Sequence, residues 1–467
     1  MISKEKKALI IISALIFVIT FLAYLSYSMN VLPQMRLSGD EPSYLMITYS
    51  MIYDNDIDLK NNYENKDYHK FGREWETNPT AVNTADGRLL PIHSVGFPIL
   101  LIPAFLLGNR VGVVVFLNLA TAFLVVQMFL LCFDLTKKMW ISILCALLGG
   151  LTTPVFWQSM EVFPEIIAAL LITLIMRSFL NGWEKGKFGW LVPVLSLAAL
   201  PWLHRRYYII FGVLLILYLV KVRKSPSRFL TLAGSTIVNI IATFLFYRLI
   251  YGSWFPPEGN SWDMLFGHLT PQGILGIFLD QERGLFIYAP IFVLIFLGYI
   301  SLFKLNKEYF WFVLTSSAVS IIIIAINFSG SFWWGAWSTL CRYLVTYIPF
   351  FCLALAASLT VIKNKIYYVI FGFLSAVSLL FTVLLINPSD PMKYLYYGGH
   401  ADYDGIGEFL ILLTRYIKVN LTNDLPSYIL FTPAALVKSI IPITLILALT
   451  LVFYFTSLKK YKPELTD

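Results

Sequence analysis

Charge is scarce in this sequence. Asp, Glu, Lys and Arg make up 13% of its 467 residues, about half of what a soluble globular chain carries. Together with 58% hydrophobic residues, that deficit excludes an ordinary cytosolic domain. Cysteine is nearly missing as well. Cys132, Cys145, Cys341 and Cys352 lie in or beside apolar runs and form no CxxC pair. They read as small core residues, with no disulfide framework and no thiolate zinc site. No internal repeat stands out, which argues against an inverted-repeat transporter. The net charge of +8 would point a soluble protein toward nucleic acid. Here the positive residues fall in short loops between apolar runs, so they speak of membrane orientation and not of nucleic acid.

What the chain has in abundance is apolar runs of ~20 residues, the length of helix that crosses ~30 Å of hydrocarbon. Twelve spans are expected, at about 8–30, 111–133, 139–157, 163–180, 188–203, 206–222, 229–251, 285–303, 308–328, 343–362, 366–387 and 436–457. The fold class expected is an all-α integral membrane protein forming one polytopic domain over 1–462. Lys4, Lys6 and Lys7 precede the first run, which continues without a small-residue cleavage site and reads as an uncleaved helix. Lys137 and Lys138, Lys185 and Lys187, Lys221 to Arg228, Lys304 and Lys307, Lys363 and Lys365, and Lys459 to Lys462 mark every second loop as basic. Both termini and these loops are therefore placed in the cytoplasm of a multi-pass cell-membrane protein.

The opposite side receives the long loops, about 31–92, 252–284 and 388–435. The first holds ten acids and is expected to carry surface helices. The stretch His93–Gly108 is apolar but short and interrupted by Pro98 and Pro103, so a surface or re-entrant helix is expected there, extending this region to 31–110.

Within these loops lie the residues able to do chemistry. Ser38-Gly39-Asp40-Glu41-Pro42-Ser43-Tyr44 places two adjacent carboxylates at a membrane interface, which is costly unless something uses or pairs them. One could act as a general base on an acceptor hydroxyl while the other binds a partner. Asp before a Pro at the first helical position is equally ordinary helix-start chemistry. Asp54, Asp56 and Asp58 alternate as oxygen ligands do, but without the glycine of an EF-hand loop, and read first as a solvated acidic turn. His204, Arg205, Arg206, Arg283 and Arg342 break the charge rule by lying at outer helix ends. Guanidinium suits bidentate phosphate binding, and pairing with Glu161, Glu165 or Glu282 is the competing use. Trp334 and Trp337 belong to an aromatic-glycine stretch that could stack on a sugar or form an interfacial belt. His93, His268 and His400 are read as surface residues, and Asn420-Leu421-Thr422 as a chance sequon.

The order of these motifs resembles the GT-C superfamily of membrane glycosyltransferases, in particular its protein mannosyltransferase and aminoarabinose transferase branch. Gly39-Asp40-Glu41-Pro42-x-Tyr44-Leu45, Asp56-x-Asp58-Leu59 with Asn62-Tyr63, and His93-Ser94-Val95-Gly96-Phe97-Pro98 carry the likeness in the first half. Glu282-Arg283-Gly284-Leu285-Phe286-x-Tyr288-x-Pro290 and Trp334-Gly335-x-Trp337-Ser338-x-x-x-Arg342-Tyr343-Leu344 carry it in the second. The resemblance implies extracytoplasmic transfer of a hexosyl or pentosyl group, with inversion, from a polyprenyl-phosphate donor. The acceptor would be a lipid-linked glycan, a cell-envelope polymer, a lipid or a protein. The family's carboxylate base maps to Asp40, or to Glu41 in an offset register. His204, Arg205, Arg206, Arg283 and Arg342 would hold the donor phosphate, and Tyr44, Glu161, Glu165, Trp334 and Trp337 the substrates. No cofactor is required by that branch, while oligosaccharyltransferase relatives leave a divalent cation at Asp54, Asp56 and Asp58 open. With no large soluble luminal domain, recognition of the acceptor falls to 252–284 and 388–435. The alternatives are a lipid-linked glycan ligase or polymerase, and a secondary transporter or flippase. The apolar runs are nearly free of mid-span charge, which disfavours the transporter.

Overall fold

The computed structural model of the protein describes residues 4–33, 35, 37, 39–72, 79–183, 189–255, 271–327, 333–335, 338–386, 410, 411, 413, 417, 418, 421–429 and 433–459. Trp337, Ser38, Lys185, Lys187, His268, His400, Asn420 and large parts of 252–284 and 388–435 lie outside these residues. The described residues are mainly helical, with one small hairpin among them. In order come α1 (Lys4–Val31), α2 (Glu41–Tyr53), α3 (Lys60–Glu64), β1 (Ala81–Asn83), β2 (Leu89–Pro91), α4 (Gly96–Thr136), α5 (Met139–Leu151) and α6 (Thr153–Gln158). Then follow α7 (Glu165–Asn181), α8 (Leu191–Leu203), α9 (Tyr207–Val222), α10 (Pro226–Tyr251), α11 (Pro271–Leu279) and α12 (Leu285–Tyr288). The series closes with α13 (Ile295–Leu305), α14 (Lys307–Asn327), α15 (Ile348–Val361), α16 (Lys365–Ile386) and α17 (Pro433–Phe453).

Each of the twelve expected spans falls on helix, and the protein is an all-α multi-pass membrane protein. Among the described residues, six helical stretches are long and apolar enough to cross a bilayer, and four shorter apolar helices accompany them. Three of the expected spans are divided. The run 139–157 becomes α5 and α6, with a break at extended Thr152 just before Pro154. The run 285–303 becomes α12, a 3-10 turn at Pro290–Leu294, and α13. The run 343–362 begins as a 3-10 turn, Arg342–Tyr347, and becomes α15 just before Pro349. In each case a proline without an N–H to donate opens the new helix, where that loss costs least. Window hydropathy does not register such breaks, because proline scarcely changes the mean.

The chain forms two compact units. One comprises 25–120 and 160–264, and carries every site residue from Asp40 to Arg206. In it α7 packs on α8 and α9, and α8 packs on α9 and α10. The apolar window of α10 is only 6% buried, with Leu230, Ile237, Val238, Ile241 and Leu249 all outward. Such a surface would be untenable in water and is at home in lipid. The other unit comprises 1–24, 121–159 and 265–467, centred on α15, whose window with the preceding turn is wholly buried. There α13 meets α15 so closely that a Cβ on Gly298 would lie 2.5 Å from the Ala354 carbonyl oxygen. Small residues at such crossings let helices approach where lipid supplies no hydrophobic drive.

The stretch after His93 forms a helix of its own that joins the following one at a sharp break. Asn109 there has φ of 51°. Its side-chain amide donates to the Lys70 carbonyl at 3.1 Å, and Arg110 Nη1 donates to the Met35 carbonyl at 2.9 Å. Both bonds tie the break to the segment that leads into Asp40.

Candidate functional site

Asp40 and Glu41 open α2, and their side chains part company at once. Glu41 is fully buried, and its Oε1 accepts the backbone N–H of Val162 at 2.9 Å. That bond fastens the start of α2 to the turn before α7. Asp40 occupies the N-cap position, but its carboxylate makes no capping hydrogen bond. A cap of this kind typically stabilises a helix by ~1 kcal/mol, and α2 forgoes it. Instead Asp40 Oδ1 faces His93 Nε2 at 3.7 Å, with a third of the Asp40 side chain (33%) still open. Ordinary helix-start chemistry therefore does not account for Asp40.

His93 is not the surface residue expected from its isolation in sequence. Its side chain is 9% exposed. It follows the β1–β2 hairpin, paired Ala81 to Pro91 and Asn83 to Leu89, and it enters the helix that begins at Gly96. The hairpin is held by the end of α10, where Tyr251 donates its hydroxyl to the Pro91 carbonyl at 2.7 Å and Arg88 Nη2 reaches the Ile250 carbonyl at 3.2 Å. Gly96 fixes the other end of this segment. A Cβ there would stand 2.4 Å from the Trp202 carbonyl oxygen and 2.6 Å from its Cβ, so only glycine allows the contact. Trp202 leads directly into His204 and Arg205. The imidazoles of His93 and His204 lie 6.4 Å apart, and the Tyr44 ring packs 4.9 Å from His93. Tyr44 is itself fully buried, against Phe97 and Phe163, and forms a wall behind the histidine.

The turn 204–206 joins α8 to α9. Arg206 pairs its Nη2 with Glu165 Oε1, reaches the Tyr207 hydroxyl at 3.1 Å, and donates its backbone N–H to His204 Nδ1 at 3.2 Å. The last bond assigns the acceptor nitrogen of His204 and leaves Nε2 as its protonated nitrogen when the ring is neutral. Arg205 is committed differently. Burial pushes its guanidinium below the ordinary range, and Tyr247, Tyr44, Tyr208 and Asp40 act electrostatically in the opposite sense. Arg205 thus lies within electrostatic reach of both Asp40 and the tyrosines of α9 and α10. Glu161 and Glu165 are both fully buried.

The second unit has a polar cluster of its own. Asp280 accepts the backbone N–H groups of Glu282 and Arg283 at 2.8 Å and of Tyr428 at 2.6 Å. Burial outweighs these donors and pushes its carboxyl up to about 6. Arg283 lies against Glu282 at 3.3 Å and donates to the Ser338 carbonyl at 2.7 Å, while Cys341 Sγ meets the Arg283 carbonyl. Arg342 is 3% exposed and stacks over Tyr343 at 5.6 Å. Trp334 packs edge-on against Trp333 at 5.5 Å. Through the Ser338 carbonyl, Arg283 ties the turn after α11 to the segment before α15.

The acidic triplet is used locally. Asp54 Oδ2 accepts Asn62 at 2.7 Å, Asp56 Oδ1 accepts Ser50 Oγ and the Asp58 N–H, and Asp58 Oδ1 accepts the Lys60 and Leu89 N–H groups. These bonds shape the approach to the hairpin. Among the described residues no three His, Cys, Asp or Glu side chains are grouped to hold a metal ion.

Sequence reasoning assigned no role to His93, Tyr208 and Tyr247. The signal available for His93 was the Gly96 three residues on, within a motif that had already drawn attention.

No protein-family model matches this chain, and no curated protein matches it. Among solved structures it is similar to the oligosaccharyltransferase of Archaeoglobus fulgidus in its apo form, at 13% identity and a TM-score of 0.43, over 79% of this chain and 54% of that one. It is also similar to ArnT from Cupriavidus metallidurans bound to undecaprenyl phosphate, at 14% identity and a TM-score of 0.41, over 76% of this chain and 60% of that one. The chain thus spans little more than half the length of these two proteins.

Proposed function

We propose that this protein is a membrane glycosyltransferase with Asp40 as its general base, acting on the extracytoplasmic face. The observation that carries the reading is the division between two adjacent carboxylates. Glu41 is buried on a backbone N–H, whereas Asp40 is left uncapped, partly open and flanked by His93 and Arg205. The motif resemblance to GT-C enzymes supplies the reaction class.

The donor in this reading is a sugar on a polyprenyl phosphate. Asp40 takes the proton of the acceptor hydroxyl while the acceptor oxygen bonds to the anomeric carbon. The bond from that carbon to the phosphate oxygen breaks, its electron pair leaves on the lipid phosphate, and the configuration inverts. Arg205, cationic at every working pH, offsets the charge that develops there. His93 Nε2 stands 3.7 Å from the Asp40 carboxylate. Arg205 is the arginine assigned to the phosphate, because Asp40 is among its electrostatic partners. The acceptor is proposed to be a lipid-linked glycan, an envelope polymer or a lipid.

Transfer of labelled sugar from polyprenyl-phosphate donors, assayed in membranes, tests the assignment. Asp40→Asn removes the base and should cut the rate by about 10²–10⁴. Glu41→Gln keeps an oxygen for Val162 and should retain transfer within about tenfold. Wild-type rates in Asp40→Asn membranes would refute the assignment.

A further inference from the structure

In the other unit, two tight turns meet at one end of α5, and each presents a lysine to the other. Lys138 ends the turn from α4 into α5, and Lys363 lies in the turn from α15 into α16. Both α15 and α16 pack on α5. Near its far end α5 places Gly149 directly against Cys352 Sγ and Ile348 of α15, so α5 and α15 run antiparallel. Lys138 lies eleven residues before Gly149, and Lys363 eleven after Cys352. Both therefore arrive about 16 Å from that crossing, at one level. Their ammonium groups come within hydrogen-bonding range of each other. Both turns are pinned. Lys137 has φ of 52°, Thr136 Oγ1 accepts the Lys138 N–H at 3.2 Å, and Ser142 Oγ donates to the Lys138 carbonyl at 2.9 Å. Across from them Asn364 Oδ1 accepts the N–H groups of Ile366 and Tyr367, and the Tyr367 hydroxyl donates to Ser358 Oγ at 2.5 Å.

By itself this arrangement is electrostatically unfavourable. Lys138 occupies the N-cap of α5, where it offers no capping hydrogen bond and adds positive charge to the positive end of the helix dipole. Lys363 brings a second positive charge to the same place. Partial burial, and then the Lys138 ammonium, hold Lys363 below the ordinary lysine range, and among the described residues no carboxylate acts on it in the opposite sense. Lys363 follows the C-terminus of α15, where a cation is favoured, but that does not account for Lys138. Nor does membrane orientation, which asks for positive charge in a loop and not for two ammoniums in contact. Lys137, by contrast, is engaged over the Phe133 ring at 5.6 Å. An anion beside Lys138 and Lys363 would meet two ammoniums and the positive end of α5, and would turn each of these costs into an attraction.

The surface beside the two turns is apolar. Trp140, two residues after Lys138, is 57% exposed, as suits an interfacial tryptophan. On α16, Ile366, Val369 and Phe373 all turn outward, at the spacing of one helix face that begins beside Lys363. An acyl chain can lie along that face while its phosphate sits at the lysines, whereas a free phosphate would use none of it. We infer that Lys138 and Lys363 form the headgroup site of an anionic phospholipid, in the leaflet that meets the basic turns, with its acyl chain along α16. Basic clusters between membrane helices recognise such headgroups. The site does not depend on the glycosyltransferase reading.

The test titrates the detergent-solubilised full chain with phosphatidylglycerol, phosphatidylcholine or inorganic phosphate. Native mass spectrometry reads the bound lipid, and thermal melting reads the fold. Phosphatidylglycerol should bind the wild type about tenfold more tightly than phosphatidylcholine, as two lysines near one phosphate allow. Lys138→Gln with Lys363→Gln should erase most of that preference, and Lys138→Arg with Lys363→Arg should keep it. Lys304→Gln with Lys307→Gln removes the same charge from another basic turn and should also keep it. Without anionic lipid, the Lys138/Lys363 glutamine pair should melt no lower than the wild type, because it relieves a repulsion. Equal losses in the two glutamine pairs would reduce the effect to general surface charge and overturn the site. So would the absence of a phosphatidylglycerol preference in the wild type, a preference that survives Lys138→Gln with Lys363→Gln, or a lower melting point for that pair without anionic lipid. Displacement of phosphatidylglycerol by inorganic phosphate at fixed ionic strength would give the site to a free phosphate and overturn the lipid assignment.

Discussion

Replacing Glu165 by Gln tests how the arginine turn is held. Glu165 is 1% exposed and Arg206 13%, so their pair is largely withdrawn from water. Gln keeps the size and one oxygen of the side chain but removes the charge. Stripping the counter-charge from a buried pair costs about 3–5 kcal/mol, because the surviving ion stays desolvated. Arg206 retains the Tyr207 hydroxyl at 3.1 Å and a face of the Tyr207 ring at 5.0 Å, which favours the lower end, about 3 kcal/mol. For a unit of about 200 residues, each kcal/mol shifts the midpoint by roughly 2–4 °C, so the thermal transition should fall on the order of 10 °C. Intrinsic fluorescence of the detergent-solubilised protein reads this directly. The double variant Glu165→Gln with Arg206→Gln removes the stranded charge as well and should recover part of the loss. The reasoning fails if Glu165→Gln melts with the wild type, or if the double variant melts below the single one.

Gly96→Ala should be damaging out of proportion to one methyl group. The added Cβ meets main-chain atoms of Trp202 at 2.4–2.7 Å, so backbone must move. Stability should drop by about 1–3 kcal/mol, and transfer by up to about 10²-fold as His93 leaves Asp40. Normal melting and normal activity together would contradict the packing argument. A third expectation concerns pH. The Asp280 carboxyl is raised to about 6 in the folded protein from an ordinary value of 3.8. A raised pKa contributes stability that is complete below pH 3.8 and lost as pH climbs through 6. The contribution is on the order of 3 kcal/mol, since each unit of difference is worth about 1.4 kcal/mol. Midpoints measured between pH 4 and pH 7.5 should show this slope in the wild type and a flatter one in Asp280→Asn; equal slopes would dismiss it.

Much of the fold was legible because it depends on local composition. Each apolar run of ~20 residues is helix, since a bilayer leaves the backbone no other way to satisfy its own polar groups. The breaks before Pro154, Pro290 and Pro349 escaped the hydropathy reading because they depend on one missing N–H apiece. The site was legible only as separate pieces. Asp40, Glu41, His204 and Arg205 drew attention through charge at a place where charge is costly. Which carboxylate stays open could not be read, because the answer is the Val162 N–H, 121 residues away. His93 looked idle for the same reason: Asp40 and Trp202 are both distant in sequence. Tyr208 and Tyr247 were submerged among 27 tyrosines and became distinctive only when α9 and α10 brought their oxygens to 3.2 Å.

A common construction explains why the charged residues come in adjacent couples. Consecutive residues at a helix start or in a tight turn point in different directions, so one can be fixed to the scaffold while its neighbour faces the cavity. Glu41 is bonded to Val162, and Asp40 beside it is aimed at His93. Arg206 is bonded to Glu165, and Arg205 beside it reaches toward Asp40 and the tyrosines. An anchor one residue away restrains the backbone of its neighbour. The anchors are therefore expected to control rate through geometry, and the facing residues through chemistry. Glu165→Gln should therefore slow transfer without altering its pH profile, whereas changes at His93 should alter the profile itself.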